Sequence, residues 1–498
     1  MSDGKNRPKA NLRRRTTLRV LAVLCGLLPV ALCEVILRVW DYPRFEFSGD
    51  PLIDASNLEP LFEPDPDNST LRRIGNSRLD LFCPAEFEVE KPPGMFRIFA
   101  LGGSTTFGEP YMSETAFPAF VKSYFEAGNP NLDYEVINCG GLSYASYRIR
   151  FIFEEIIQYS PDLVLLYTGH NEFLEKRSLF LASNSVDGRS LGDSLLPLRQ
   201  LSSFKTIRLV ESLFDRGQSL DRTPLNPTVL KREVDALLDY QGGLKDYSRG
   251  QLARELVAAE FEFNVVQMIE LANKHQIPLV VITPVSNLLD CPPFKIEPDP
   301  NLGESELEQL EKAWQIARDS HDESEAAEQA QAVLEVDAAH AGALFLLGRL
   351  AAGQGDFESA YGLLKAAKDA DVCPLRAPSQ IQRALQSVCT ENNVPTVDAV
   401  QLFASLSENG IVGDAWLVDH IHPSIKGHNM LGEEIARVCF EQGIVELQDD
   451  DWSERAQNLV REQLGQLGEV YYLRAKQRLE GLQLWTQGRA KKVREAAE

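Results

Sequence analysis

Four short, largely apolar runs constrain this chain most: Phe96–Leu101 (FRIFAL), Tyr134–Asn138 (YEVIN), Asp162–Tyr167 (DLVLLY) and Pro278–Thr283 (PLVVIT). They are rich in β-branched and aromatic residues, as strands buried on both faces are; a strand with one wet face would alternate. Helical stretches at Ala116–Ala127, Ser146–Tyr159 and Gln251–His275 separate them. Strands alternating with helices predict an α/β fold with a parallel sheet and helices on both faces. Sheet-type sequence resumes at Val394–Asp398, and a last helix runs over Ser424–Phe440. In such sheets a ligand sits outside the carboxyl ends of the strands, so the residues just after each run are the first candidates for chemistry.

The 498 residues suggest about three structural units. The sheet sequence falls in two parts, 95–302 and 372–445, with an Ala-, Glu- and Leu-rich helical segment, 303–371, between them. That segment echoes itself at 34 residues: Asp322/Asp356, Ala326/Ala360 and Asp337/Asp371. Its second copy resembles a tetratricopeptide repeat, with Leu347-Gly348, Ala360 and Ala367 where paired helices need small or packing residues. The resemblance implies a concave face for a protein partner or extended ligand; an ordinary helical hairpin is the simpler reading. The chain enters the insertion from a strand end, so a wall or lid beside the ligand site is expected. Residues 41–94 read as an extended lead-in, and 446–498 as an amphipathic helical tail with Trp452, Tyr471, Tyr472 and Trp485 for packing.

The net charge is −23, yet residues 1–19 carry Lys5, Arg7, Lys9, Arg13, Arg14, Arg15 and Arg19 against Asp3 alone. A basic arm over 1–17 therefore precedes an apolar span over 18–40, long enough to cross a bilayer. The arm should stay cytoplasmic and the remainder lie outside. This predicts a single-pass anchor in the inner (cell) membrane, with the main domain facing the periplasm or cell exterior. A cleaved signal peptide is the rival. Val30-Ala31-Leu32-Cys33 looks like a lipoprotein box, but Leu32 is large for the position before Cys33. The acidic remainder repels phosphate backbones, so nucleic acid is not an expected partner. Eight cysteines without a C-x-x-C pair form no disulfide framework; outside the cytoplasm one or two bridges are permitted.

Four motifs follow the strand runs. Gly102-Gly103-Ser104-Thr105-Thr106 turns sharply and lifts a serine to the top of the sheet; a plain turn serine is the bland alternative. Asp419-His420-Ile421-His422-Pro423 opens the last helix. Asp419 lies three residues before His422, so its carboxylate can fix the imidazole tautomer and leave the other nitrogen to face a nucleophile. A capping Asp beside a surface His is the alternative. Thr168-Gly169-His170-Asn171-Glu172 presents an amide able to stabilise an oxyanion, or simply to cap a helix. Asn138-Cys139-Gly140-Gly141-Leu142-Ser143 can supply a second, backbone donor. A metal set of Asp419, His420, His422 and His428 lacks a clear complement of carboxylate or thiolate partners, and no metal or cofactor is expected.

Ser, Gly, Asn and His at successive strand ends, with Asp three before the His, resemble the SGNH or GDSL hydrolase superfamily over roughly 95–300 and 390–445. The resemblance implies a flavodoxin-like three-layer α/β/α domain and serine acyl chemistry without a cofactor. It makes Ser104 the nucleophile, His422 the base and Asp419 its orienting partner. Asn171 and a backbone N–H of Ser143 or Gly141 would form the oxyanion hole. The chain departs from the pattern before Ser104, where Gly102-Gly103 stands for the usual Gly-Asp, and at Ser143, where glycine is usual. The implied substrate is an acyl ester, such as an acylated glycan or lipid. The alternatives are an O-acyltransferase or deacetylase acting on cell-envelope polysaccharide, or a non-catalytic repeat-bearing scaffold. The loop through Asn287 and Cys291-Pro292-Pro293 should emerge on the catalytic rim. Arg376, just past the insertion, would then hold an anionic substrate group bidentately, unless it is a solvated loop charge.

Overall fold

A computed structural model describes residues 28–29, 32–33, 53–177, 228–239, 243–448 and 451–487. The basic arm and nearly all of the predicted span lie outside these residues. Among the described residues no helix is long and apolar enough to cross a membrane. The chain divides into two compact units. In the first, 1–55 with 181–229, the described structure includes a short parallel pair, Ile53–Asp54 with Thr228–Val229. All that follows concerns the second unit, 56–180 with 230–498.

The elements of the sheet domain begin with β1 (Met95–Gly102), α1 (Ser104–Phe107), α2 (Phe117–Gly128), β2 (Asp133–Gly140), α3 (Ser146–Ile156) and β3 (Leu163–Tyr167). Then come α4 (Gln251–His275) and β4 (Leu279–Ile282). The insertion supplies α5 (Glu304–Asp319), α6 (Glu323–Val336), α7 (Ala341–Gly353) and α8 (Phe357–Ala370). The chain closes with α9 (Ser379–Glu391), β5 (Thr396–Val397), α10 (Ile425–Glu441), α11 (Trp452–Gly465) and α12 (Glu469–Thr486).

The five strands form one parallel sheet in the order β5-β4-β3-β1-β2. Ile98, Ala100, Leu165, Tyr167, Val280 and Ile282 pack on one face against α2, α10 and α11. Phe99, Leu101, Val164, Leu166 and Val281, the alternate residues, are equally buried. They point to the opposite face, where α3 packs on β1 and on α4. Burial on both faces is what the unalternating runs demanded, and each fully buried Val, Leu or Ile contributes about 1.5–3 kcal/mol. The register sets Gly102 level with Gly140 and Tyr167, Tyr167 level with Ile282, and Ile282 level with Val397. All five carboxyl ends therefore share one rim, and the motifs at Gly102, Asn138 and Thr168 leave from it, while Asp419–Pro423 follows the last strand at a distance, after the helix Ala399–Leu406.

Within the predicted 41–94 lead-in, residues 56–94 are more ordered than the extended reading allowed. Phe62–Pro64, Leu71–Ile74 and Glu86–Glu88 form a three-stranded antiparallel sheet. Phe62 and Phe87 make edge-to-face contacts with each other and with Tyr159 and Phe99. These strands carry few buried apolar side chains, too few to produce a periodic signal.

In the insertion, Glu323 and Phe357 begin α6 and α8, 34 residues apart, as the echo anticipated. Asp322 and Asp356 cap those helices by accepting N–H groups of the first turn. The echoed Asp337 and Asp371 are both buried and both hold the segment that leads into the insertion. Asp337 accepts from the Asp299 N–H, and Asp371 from those of Phe294 and Lys295. Among the described residues every cysteine is a free thiol.

Candidate active site

Strand β1 delivers its chain to Gly103, and Ser104 begins α1. The backbone passes close to the Asn171 side chain here: a Cβ at Gly103 would lie 2.6 Å from the Asn171 amide nitrogen and 3.2 Å from the Tyr144 carbonyl, so a larger residue would require the amide to shift. The Ser104 hydroxyl lies 2.7 Å from His422 Nε2. His422 Nδ1 lies 2.7 Å from Asp419 Oδ2. The other Asp419 oxygen accepts the N–H groups of Ile421 at 2.9 Å and His422 at 2.8 Å. The turn thus fixes its own carboxylate, and the carboxylate fixes the ring. With Nδ1–H donating to Asp419, Nε2 carries the lone pair and the Ser104 O–H donates to it.

Charge follows the same logic. Burial works to lower the His422 pKa, but the Asp419 charge and hydrogen bond outweigh it and hold the imidazole above its ordinary value. Burial works to raise Asp419; His422, His420 and the turn N–H groups overcome it and hold the carboxyl well below the usual range. At two neighbouring buried histidines burial wins: it lowers His420 to about 4 despite the Asp419 charge, and His428 to about 3. His422 is therefore set apart as a proton acceptor at neutral pH.

Gly169, at φ 124°, makes the turn that brings Asn171 back toward Gly103. The Asn171 amide donates to the Tyr144 carbonyl at 3.0 Å, and Asn171 lines the same cleft as Ser104 and Ser143. The Gly141 N–H is spent on the Gly102 carbonyl at 3.0 Å, which leaves Ser143 as the backbone donor of the pair. Ser143 stands at φ 62°, the left-handed region where glycine is the usual occupant. The N–H of Ser104 itself, at the first position of α1, has no intrahelical acceptor and adds a donor that sequence reasoning missed. Glu172 is buried and accepts from the Ser146 N–H and hydroxyl, so it caps α3 rather than entering the cleft.

The cleft measures about 130 Å³ and is walled by Leu142, Ile421, Leu482 and Trp485, with Glu109 and His420 also at its lining. No residue of 303–371 lines it, which corrects the expectation of an insertion wall. Its place is taken by α12, whose Arg478 pairs with the nearly buried Glu109. Arg478, Leu482 and Trp485 fall at i, i+4 and i+7, a single helical stripe that was the available signal for this role.

Asn287 and Arg376 are not at the rim. Asn287 lies behind the triad: its N–H donates to the His420 carbonyl, and its side chain to the Asp419 carbonyl and the Asp414 carboxylate. Arg376 is 2% exposed and donates to the carbonyls of Asn287 and Cys291 at 3.1 and 2.6 Å, with Asp371 at 3.4 Å. It is neither a solvated charge nor open to substrate; the low-lying loop carbonyls draw the guanidinium inward. For a metal, ligand atoms of Asp419, His420 and His422 fall within 4.8 Å of one another. Both nitrogens of His422 are already engaged, however, and His428 accepts the Phe117 N–H. The donor set fits a proton relay better than a cation.

No protein-family model matches the chain, and no curated protein matches it in sequence. Solved structures do superpose in part. A lipase/acylhydrolase from Enterococcus faecalis shares 14% identity, covers 71% of this chain and 100% of its own, and has a TM-score of 0.32. An acetyl-xylooligosaccharide esterase from Geobacillus shares 14% identity over 69% of this chain and 93% of its own, with a TM-score of 0.31. A GDSL-like lipase from Bacteroides thetaiotaomicron shares 12% over 70% and 87%, with a TM-score of 0.27. At such scores the superpositions are loose, and the functional reading rests on side-chain geometry: a serine, an imidazole and a carboxylate in one hydrogen-bonded line, with amide donors beside the serine.

Proposed function

We propose that this protein is a serine esterase or acylhydrolase of the SGNH/GDSL superfamily. The observation that carries the reading is the relay of two 2.7 Å contacts, Ser104 to His422 and His422 to Asp419. Ser104 Oγ attacks the ester carbonyl carbon while its proton passes to His422 Nε2. The carbonyl electron pair moves onto oxygen, where Asn171 and the N–H groups of Ser143 and Ser104 receive it. Each such donor is worth about 2.7–4 kcal/mol in the transition state. Collapse expels the alcohol, which takes the proton from His422, and leaves an acyl-enzyme. Water then attacks with His422 again as base, releasing the acid and restoring Ser104. Asp419 stays ionised throughout.

The small apolar-walled cleft suits a short acyl group. With the 18–40 span as an anchor, the ester lies on the outer side of the membrane, within reach of envelope glycans or lipids; a topology reporter fused after Trp40 tests that placement, and a cytoplasmic signal overturns it. Turnover of p-nitrophenyl acetate tests the chemistry. Ser104→Ala and His422→Ala should each abolish it, and wild-type turnover in Ser104→Ala would refute the proposal.

A further inference from the structure

A second cavity, of about 370 Å³, opens where the insertion meets α4 and α9. Its lining includes Arg249, Arg254, Arg383, Asp369, Ser379 and Gln380, three guanidinium groups against one carboxylate. Two long helices begin at it. α4 starts after Gly250 and α9 after Pro378; neither of these residues supplies a side-chain cap, and neither helix has an acid in its own first turn. Helix starts leave N–H groups without intrahelical acceptors and carry partial positive charge. Asp369 takes the Ser379 N–H at 2.8 Å, and the Pro378 carbonyl takes that of Ile381, while Gln380 N–H lies between them.

An independent observation points to a ligand. Ser379 is 4% exposed, lines the cavity, and its hydroxyl has no hydrogen-bond partner in the protein. Buried polar groups are nearly always satisfied, so an orphan hydroxyl at a cavity wall marks a place for an acceptor. The arginines are held but not exhausted. Arg249 is bidentate on Asp337 at 2.6 and 2.9 Å and also donates to the Glu297 carbonyl at 3.2 Å; Arg254 donates from Nη1 to the Asp369 carbonyl at 2.5 Å and from Nη2 to the Asp371 carbonyl. Burial pulls the Arg254 pKa below its ordinary value despite nearby Asp371 and Asp369, a cost an incoming anion would offset. Arg383 stands exposed one turn into α9.

We infer that this cavity binds a phosphoryl group, as free phosphate or as the head of a small phosphorylated molecule. Donors arrive from two helix ends, a hydroxyl and guanidinium groups. That spread suits the several oxygens of a tetrahedral dianion better than the two of a planar carboxylate. The volume lies in the range of small-molecule sites and leaves room for an organic group beyond the phosphoryl. The site shares no lining residue with the Ser104 cleft, so it stands or falls independently of the esterase reading.

The test is calorimetric titration and thermal melting of the full chain with inorganic phosphate and with glycerol 3-phosphate. Acetate and chloride at matched ionic strength serve as controls. Saturable binding of either phosphate is expected, with a rise in melting temperature that the controls do not give. Tighter binding of glycerol 3-phosphate assigns the site to an organic phosphate; equal binding assigns it to the free anion. Losing a hydrogen bond to a charged ligand weakens binding about tenfold or more, so Ser379→Ala and Arg383→Glu should each raise Kd by about that factor. Arg383 is exposed and Ser379→Ala removes one atom, so both variants should fold, as circular dichroism verifies. Absence of saturable binding at millimolar phosphate would overturn the inference, as would a Kd unchanged in both variants. Hydrolysis of p-nitrophenyl acetate, followed separately, keeps this result distinct from any failure of the triad.

Discussion

Two helical appendages flank the same sheet domain, and only one of them reaches the cleft. The insertion leaves from the end of β4, on the rim where the chemistry sits, yet none of its residues lines the cavity beside Ser104. The tail begins after the last helix of the domain, and α12 supplies Leu482 and Trp485 to that cavity. Their tethers explain the difference. Tyr471 meets Thr115 at 2.8 Å, Arg478 pairs with Glu109 and lies over the Phe107 ring, and the Trp485 indole donates to Asp239 at 2.8 Å. These points run along α12 and fix its stripe over the cleft. The insertion is tied instead by Asp337 to Arg249, just before α4, and by Asp371 to Arg376 and the 294–295 backbone. Where an appendage emerges does not decide what it covers; its buried carboxylates and helix stripes do.

The comparison holds only if the triad works without either appendage touching the proton relay, and the largest expected effect tests that. Asp419→Asn should lower kcat about 10⁴-fold, because the amide favours the wrong imidazole tautomer. The base must be neutral, and Asp419 raises the His422 pKa, so wild-type activity should fall as pH drops through a value above 6.5. In the variant that inflection should move to lower pH. A pH–rate profile of p-nitrophenyl acetate hydrolysis measures both, and an unmoved inflection would break the account of His422.

Arg376→Ala comes next. It leaves Asp371 buried without its cation, at a cost of about 3–5 kcal/mol in chemical denaturation. KM of the enzyme that remains folded should be unchanged. A raised KM at unchanged stability would return Arg376 to a substrate role. Arg478→Ala, in the tail, should raise KM about tenfold by loosening the wall of the cleft, a change of about 1.4 kcal/mol. Arg349→Ala, which removes a half-exposed pair with Asp290 in the insertion, should leave KM alone. Equal shifts in the two would erase the distinction between tail and insertion. The smallest effect is at Ser143, where Ser143→Gly should stabilise the fold by about 1 kcal/mol through relief of the left-handed backbone, at unchanged kcat. Thermal melting reads the first part and steady-state kinetics the second.

What was legible in the sequence was what lies close along the chain. The strand runs announce themselves by unbroken apolar character, and Asp419 with His422 needs only a three-residue turn. The 34-residue echo is legible because Asp322 and Asp356 cap their own helices. What stayed hidden depends on partners far away. The Arg376 guanidinium settles on the carbonyls of Asn287 and Cys291, more than 80 residues upstream. Glu109 finds its cation at Arg478, at a separation of 369 residues. The 62–88 sheet was hidden for a different reason: its strands gain their stability from Phe62 and Phe87 packing on Phe99 and Tyr159, not from any pattern of their own.

The central claim, that His422 and Asp419 activate Ser104 as a nucleophile, is tested most directly by reaction with a fluorophosphonate probe followed by peptide mass spectrometry. A single adduct on Ser104 is expected, absent in Ser104→Ala and formed far more slowly in His422→Ala. An adduct on another residue, or labelling that persists in Ser104→Ala at the wild-type rate, would contradict it.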